Sequence, residues 1–272
     1  MKKSTGFIRM IFILFMLLLL YTPILILAFY SFTDASQIGT FRTFSLQNYV
    51  TLFTTEELRD MIVSTLLLAL GTAAIATVLG TLGAVGSFYS RKSVSRTFDS
   101  INKIPVINAD VVTGFSICIL LVVVFGMDKE SYLPLIAGHV VLSAPFVYLS
   151  VVPKLTQMDS SLYEAALDLG ATPGRALISV IIPQIMSGIL SGFMLAVTLS
   201  LDDYFIATYT KPATFDTIST YVVNATRGSH TEIKTALWAL STVIFVIVLI
   251  IAVSANLKKK EPGFMTDKKE AE

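Results

Sequence analysis

The chain has 272 residues, 54% of them apolar and 14% charged, with a mean hydropathy of +0.75, whereas a soluble globular domain carries about 25% charged residues. A formal charge of +1 gives no general attraction to nucleic acid, and the single Cys118 allows neither an internal disulfide nor a cysteine metal site. The apolar residues are gathered into runs, and a run of about 20 crosses the roughly 30 Å of hydrocarbon in a bilayer. An all-α integral membrane protein is therefore expected.

Six spans are predicted, at residues 10–32, 62–89, 104–125, 135–152, 185–207 and 236–257. Lys2, Lys3 and Arg9 before the first run resemble the start of a secretory signal. The run exceeds the usual signal core of about 7–15 residues, however, and no clear A-x-A site follows it, so an uncleaved span is expected. Residues 33–60 contain Gly39, Ser45 and Asn48, with a short helix expected near 46–53. Span three carries Pro105 and Asp110 near its start, and span four contains Pro145, interruptions that neighbouring helices can satisfy. The chain is accordingly read as 1–60 (first span and outer segment), 61–257 (transmembrane domain) and 258–272 (a charged tail).

Basic residues set the orientation. Lys2, Lys3 and Arg9, then Arg91, Lys92, Arg96 and Lys103, then Lys154 and Arg175, and finally Lys258, Lys259, Lys260, Lys268 and Lys269 all fall on one side. By the positive-inside rule that side is cytoplasmic, which places both termini inside. The other side has Arg42, Arg59, Lys129, Lys211, Arg227 and Lys234, spread through longer segments. Tyr21, Tyr30, Tyr132 and Tyr209 suit either an interfacial belt or plain packing.

The polar segment 161–183 lies on the cytoplasmic side between spans four and five. Ser161-Leu162-Tyr163-Glu164 has the S-x-x-E spacing of a capping box, so a helix is expected to start there. Leu162, Ala165, Ala166 and Leu169 follow at i, i+3, i+4 and i+7, a stripe with small residues that lets a partner come close. Gly170 suits a left-handed helix end, and Thr172-Pro173 suits the start of a second helix leading to Pro183. Capping and spacing alone fit an ordinary connection as well as a docking helix-turn-helix.

Glu164-Ala165-Ala166, Gly170, Val180 and Ile182-Pro183 resemble the E-A-A-x3-G-x9-I-x-L-P loop of the membrane subunits of ABC importers, departing only at Val180 and Ile182. The resemblance implies the type I ABC importer permease fold and makes this segment the element that enters a cleft on an ATPase subunit. It also implies a homologous second permease, an ABC ATPase dimer that binds the ATP, an extracytoplasmic solute-binding protein, and residence in a bacterial cytoplasmic membrane. Phe44-Ser45-Leu46-Gln47-Asn48-Tyr49 with Leu52-Phe53, and Asp110-Val111-Val112-Thr113-Gly114, resemble further parts of these permeases, although Ser64-Thr65-Leu66 stands where many have Asn-Thr-Leu. Ser200-Leu201-Asp202-Asp203-Tyr204 and Asp216-Thr217-Ile218-Ser219 resemble the C-type permease subunit of spermidine/putrescine importers. Other organic solutes, or ferric or thiamine-like cargo, remain alternatives.

Asp202 and Asp203 lie about 20 residues past Pro183, near the outer end of span five. A charge at mid-membrane costs roughly 2.5–3.5 kcal/mol on insertion scales and usually faces a bundle interior or a watery cavity. A di-acid there would attract a polycation; alternatively the carboxylates reach water, or one pairs with Lys211 or with a partner subunit. Asp110 and His139 are weaker candidates, the first as a residue at a helix start and the second as a packing residue. No G-x-x-x-x-G-K-S/T, H-E-x-x-H or G-x-S-x-G occurs, so ATP hydrolysis is assigned to another polypeptide and no cofactor or metal is expected here. An integral membrane enzyme or scaffold is the competing class, and the loop argues against it.

Overall fold

A computed structural model describes residues 2–35, 39, 43–159, 161–227 and 231–258; the side chains of residues 2–8, 227, 231–234, 248 and 251–258 are left undescribed. The tail from 259 onward, and with it most of the expected charged segment, lies outside the described residues, as does His230. The described residues are helical apart from turns and one isolated bridge, Thr33 to Phe44.

The chain divides into two compact units, Met1–Leu58 with Ala225–Glu272, and Arg59–Asn224. In the first unit α1 (Lys2–Ser31) and α2 (Gln47–Thr54) pack on α12 (Thr231–Lys258). Asn48 lies buried, and its Nδ2 donates to the carbonyls of Ser31 at 3.1 Å and Thr33 at 2.9 Å, capping the end of α1. The short outer helix thus lies within a residue of its expected place. None of the most apolar 18-residue stretch of α1 is buried, as suits a helix bathed in lipid. Tyr30 packs edge-on against Trp238 and Tyr21 tilts on Phe245.

The second unit runs α3 (Glu56–Phe88), α4 (Lys92–Ile107), α5 (Asp110–Cys118) with a π-helical continuation Ile119–Val124, α6 (Leu133–Gln157), α7 (Ser161–Asp168), α8 (Pro173–Ala176), a π-helical turn Leu177–Ile181, α9 (Ile182–Asp202), α10 (Phe205–Thr210) and α11 (Ile218–Arg227). Its core is the seam of α6 with α9, where Val147, Tyr148, Val151 and Leu155 meet Ile185 and Ala196. Two glycines allow that approach: a Cβ on Gly188 would lie 2.9 Å from the Ser150 carbonyl oxygen, and one on Gly192 would lie 3.0 Å from the Val147 Cα. Small residues are what close membrane helix contacts require, because lipid tails offer no hydrophobic drive to push larger helices together.

Among the described residues four helices are long and apolar enough to cross a bilayer: Arg9–Ser31, Glu56–Phe88, Leu133–Gln157 and Pro173–Asp202. Where residues 104–125 were expected to form one span, α4 and α5 meet at a 103° bend around Asn108 and Ala109, and the pair makes a fifth crossing only if counted together. The segment of α12 that passes as apolar among described residues is Thr235–Ile247. The fifth expected span, 185–207, is also interrupted: α9 ends at Asp202 and the chain restarts as α10 at Phe205.

Candidate functional site

The loop between α6 and α9 is built from local capping. Ser161 is already inside α7, and its N–H donates to Asp159 Oδ1 at 3.0 Å. That backbone bond, followed by the bond from the Ser161 hydroxyl, holds the Asp159 carboxyl below the ordinary aspartate range. Asp159 thus takes the Ser161 N–H that the Glu164 side chain of the expected box would accept, and it also takes the Ser161 hydroxyl. At the other end of α7, Gly170 has φ +86°. The Ala171 N–H reaches the Ala166 carbonyl at 3.0 Å and the Gly170 N–H reaches that of Leu167 at 2.9 Å, the paired bonds of a Schellman ending. Thr172 is extended with Pro173 in the first turn of α8, although the threonine side chain makes no capping bond. The Ile182 N–H then bonds five residues back to Leu177, so the turn before Pro183 widens where the proline lacks a donor for the carbonyl four residues earlier.

The expected stripe on α7 is split. Leu162, Tyr163, Ala166 and Leu167 are half-buried, with Tyr163 against Tyr89 at a ring separation of 4.9 Å. Glu164, Ala165, Asp168 and Leu169 face outward, Leu169 being 90% exposed. Gly170 and Pro183 are exposed as well. The loop thus offers a small, acidic-edged surface with one bare leucine at its tip.

The far end of α9 has the opposite character. Asp203 is buried, and its two carboxylate oxygens accept the N–H groups of Ile206 at 3.2 Å and Ala207 at 2.7 Å, so it caps α10 across the break. Asp202, one residue earlier, is exposed. The pair is therefore divided between a cap and an open carboxylate. Lys211, an expected partner for either, instead lies 3.1 Å from Asp216 and donates to the Phe215 carbonyl at 2.6 Å. His139 is wholly buried on α6, with Nδ1 2.9 Å from Ser200 Oγ and Nε2 3.8 Å from Asp203 Oδ2. Among the described residues its Nε2 has no hydrogen-bond partner, nor has Ser143 Oγ one turn further along. Ser200 also meets Thr72 of α3 at 3.2 Å. Asp110 is exposed at the first position of α5, and that helix closes on α10 through Phe115 and Tyr209, 5.7 Å apart.

Sequence reasoning missed the helix break at Asp203 and the reciprocal cap that starts α11. There the Thr217 N–H donates to Thr220 Oγ1 at 2.9 Å and the Thr220 N–H to Thr217 Oγ1 at 3.3 Å. The T-x-x-T spacing at 217–220 was the available signal. No group of three or more His, Cys, Asp or Glu able to hold a metal occurs among the described residues.

Residues 76–259 match the family model described as binding-protein-dependent transport system inner membrane component. The chain belongs to this family. It is thus a multi-pass inner-membrane permease component of a transport system rather than an enzyme. It is 31% identical to the putrescine transport system permease protein PotI of Escherichia coli (strain K12), over 87% of this chain and 85% of that one. It is 27% identical to the spermidine/putrescine transport system permease protein PotC of Haemophilus influenzae, over 93% of this chain and 97% of that one. In three dimensions it resembles the crystal structure of a bacterial alginate ABC transporter in complex with alginate pentasaccharide-bound periplasmic protein. The TM-score is 0.70 at 18% identity, over 95% of this chain and 96% of that one. The permease fold of ABC importers is therefore the fold of this chain.

Proposed function

We propose that this permease carries polyamines such as putrescine and spermidine into the cell, driven by a separate ABC ATPase dimer that binds the ATP. It pairs with a homologous second permease and receives solute from an extracytoplasmic binding protein. The permease crosses the membrane six times, with both termini and the 161–183 loop in the cytoplasm, as the distribution of Lys and Arg supports.

The observation that carries the coupling reading is the outward face of α7, with Glu164, Ala165 and Leu169 beside the left-handed Gly170. That face is the surface offered to the ATPase cleft, and Ala166 and Pro183 set its frame. The polyamine reading rests on the two polyamine permeases it resembles and on the acidic end of α9. Asp202 offers an open carboxylate to an ammonium group, and Asp203 holds the helix break that positions it.

Uptake of labelled putrescine by cells expressing the permease with its partners tests this reading. Asp202→Asn keeps the shape and loses the charge. Uptake per assembled complex is expected to fall several-fold. Unchanged uptake would remove Asp202 from the pathway, and absence of polyamine uptake alongside intact ATPase assembly would shift the solute to another class.

A further inference from the structure

Helix α4 carries a surface that the transport reading does not use. It meets α5 and its π-helical continuation at 103°, so with those residues near the bilayer normal α4 lies close to the membrane plane. Three sets of residues divide its circumference. Val94, Phe98 and Ile101 follow at i, i+4 and i+7 and are 52%, 41% and 56% exposed. Lys92, Arg96 and Lys103 follow at i, i+4 and i+11 on the opposite side, all exposed. None of the three forms an ion pair among the described residues. Ser95 and Asp99 lie between these two faces.

The intermediate face is tied to the protein by hydrogen bonds, and Phe98 at the edge of the apolar face packs on Tyr148 with ring centroids 6.0 Å apart. Tyr148 of α6 donates its hydroxyl to Asp99 and lies 3.0 Å from Ser87, which in turn meets Ser95 at 3.2 Å. These bonds fix the roll of α4 about its axis. With Ser95 and Asp99 turned toward the bundle, the apolar face is left on one flank and the basic face on the other. In a membrane that roll directs Val94 and Ile101 toward hydrocarbon, with Phe98 between them and Tyr148, and holds Lys92, Arg96 and Lys103 at headgroup level. Long basic side chains keep their heads at that depth while their stems follow the apolar surface.

We infer that α4 is an interfacial anchor that recruits anionic phospholipid headgroups through Lys92, Arg96 and Lys103. The alternative occupant of its apolar face is a partner protein. Charge favours lipid: a basic row opposite an exposed apolar edge, Val94 and Ile101, complements phosphate over acyl chain, and each basic residue near an anionic surface contributes roughly a fivefold preference.

Two measurements on the full chain, assembled with its partners in nanodiscs of phosphatidylcholine and phosphatidylglycerol, test this. A fluorophore at Ile101→Cys in a Cys118→Ala background is expected to be quenched by brominated lipid, and one at Ser100→Cys much less. No quenching at 101 in the assembled complex means that protein covers the face, and overturns the inference. Mass spectrometry of retained lipid is expected to show phosphatidylglycerol enriched over phosphatidylcholine. That enrichment should fall on the order of a hundredfold in Lys92→Gln/Arg96→Gln/Lys103→Gln and persist in Lys129→Gln. Equal enrichment in wild type and the triple variant, or an equal loss per charge in Lys129→Gln, would overturn it.

Discussion

The two ends of α9 lie about 30 Å apart along one helix and are organised in opposite ways. At the Pro183 end, the chain is held by bonds between residues a few positions apart, namely Asp159 to Ser161, Ala171 to Ala166 and Ile182 to Leu177, and the resulting face is exposed. At the Asp202 end, side chains distant in sequence converge in a buried cluster, with Ser200 meeting Thr72 and His139 while Asp203 caps α10. A surface that engages and releases a partner benefits from being rigid by itself. A break inside a membrane needs its freed backbone groups satisfied by whatever surrounds it.

This contrast can be broken most severely at the buried end. Asp203→Ala leaves the N–H groups of Ile206 and Ala207 without their acceptor, at a cost of roughly 1–3 kcal/mol each. Assembled complex is expected to fall sharply, as read by detergent-extracted yield and melting temperature. A variant of normal yield would show that the break does not depend on this cap. Ser200→Ala should do the same more mildly, about 1 kcal/mol, because it removes the bonds to Thr72 and His139 without opening the helix.

The exposed end should separate function from stability. Gly170→Val places a β-branched residue at φ +86°, a strain of about 1–3 kcal/mol confined to a surface turn. Insertion and yield are expected to change little while uptake is lost by at least tenfold. Loss of yield in step with uptake would mean that the turn is a folding element. The smallest effect belongs to Asp159. Its carboxyl has a lowered folded pKa, so its contribution to the start of α7 is present above the ordinary aspartate range and lost as pH falls through the folded value. In the neutral range, Asp159→Asn should leave uptake within about twofold of wild type, since surface changes of this kind rarely exceed 0.5 kcal/mol.

The same difference explains what was legible in the sequence. Gly170 acts on its own neighbours, so its position alone forecast the left-handed turn, whereas Thr172, expected as an N-cap, makes no capping bond to the four-residue α8. The Ser161 N–H goes to Asp159, two residues upstream, rather than to the Glu164 carboxylate of the expected box. Long apolar runs announced the crossings, but the run at 104–125 concealed a bend that its composition hardly marks beyond Pro105 and Asn108. The basic residues of α4 mark orientation by their side of the membrane, while their i, i+4 and i+11 spacing places them on one face only once the helix is known. No spacing rule connects Thr72 with Ser200, or His139 with Asp203, because those contacts exist only once α3, α6 and α9 have packed. Asp202 and Asp203 looked alike in sequence and acquired different surroundings from the fold.

Crosslinking from the tip of α7 tests the central claim most directly. In a Cys118→Ala background, a photoreactive group at Leu169→Cys should capture the ATPase subunit within the assembled complex, and the crosslink should abolish solute-stimulated ATP hydrolysis. Capture of the second permease alone, or full stimulated hydrolysis after quantitative crosslinking to the ATPase, would contradict the assignment of this loop as the coupling element.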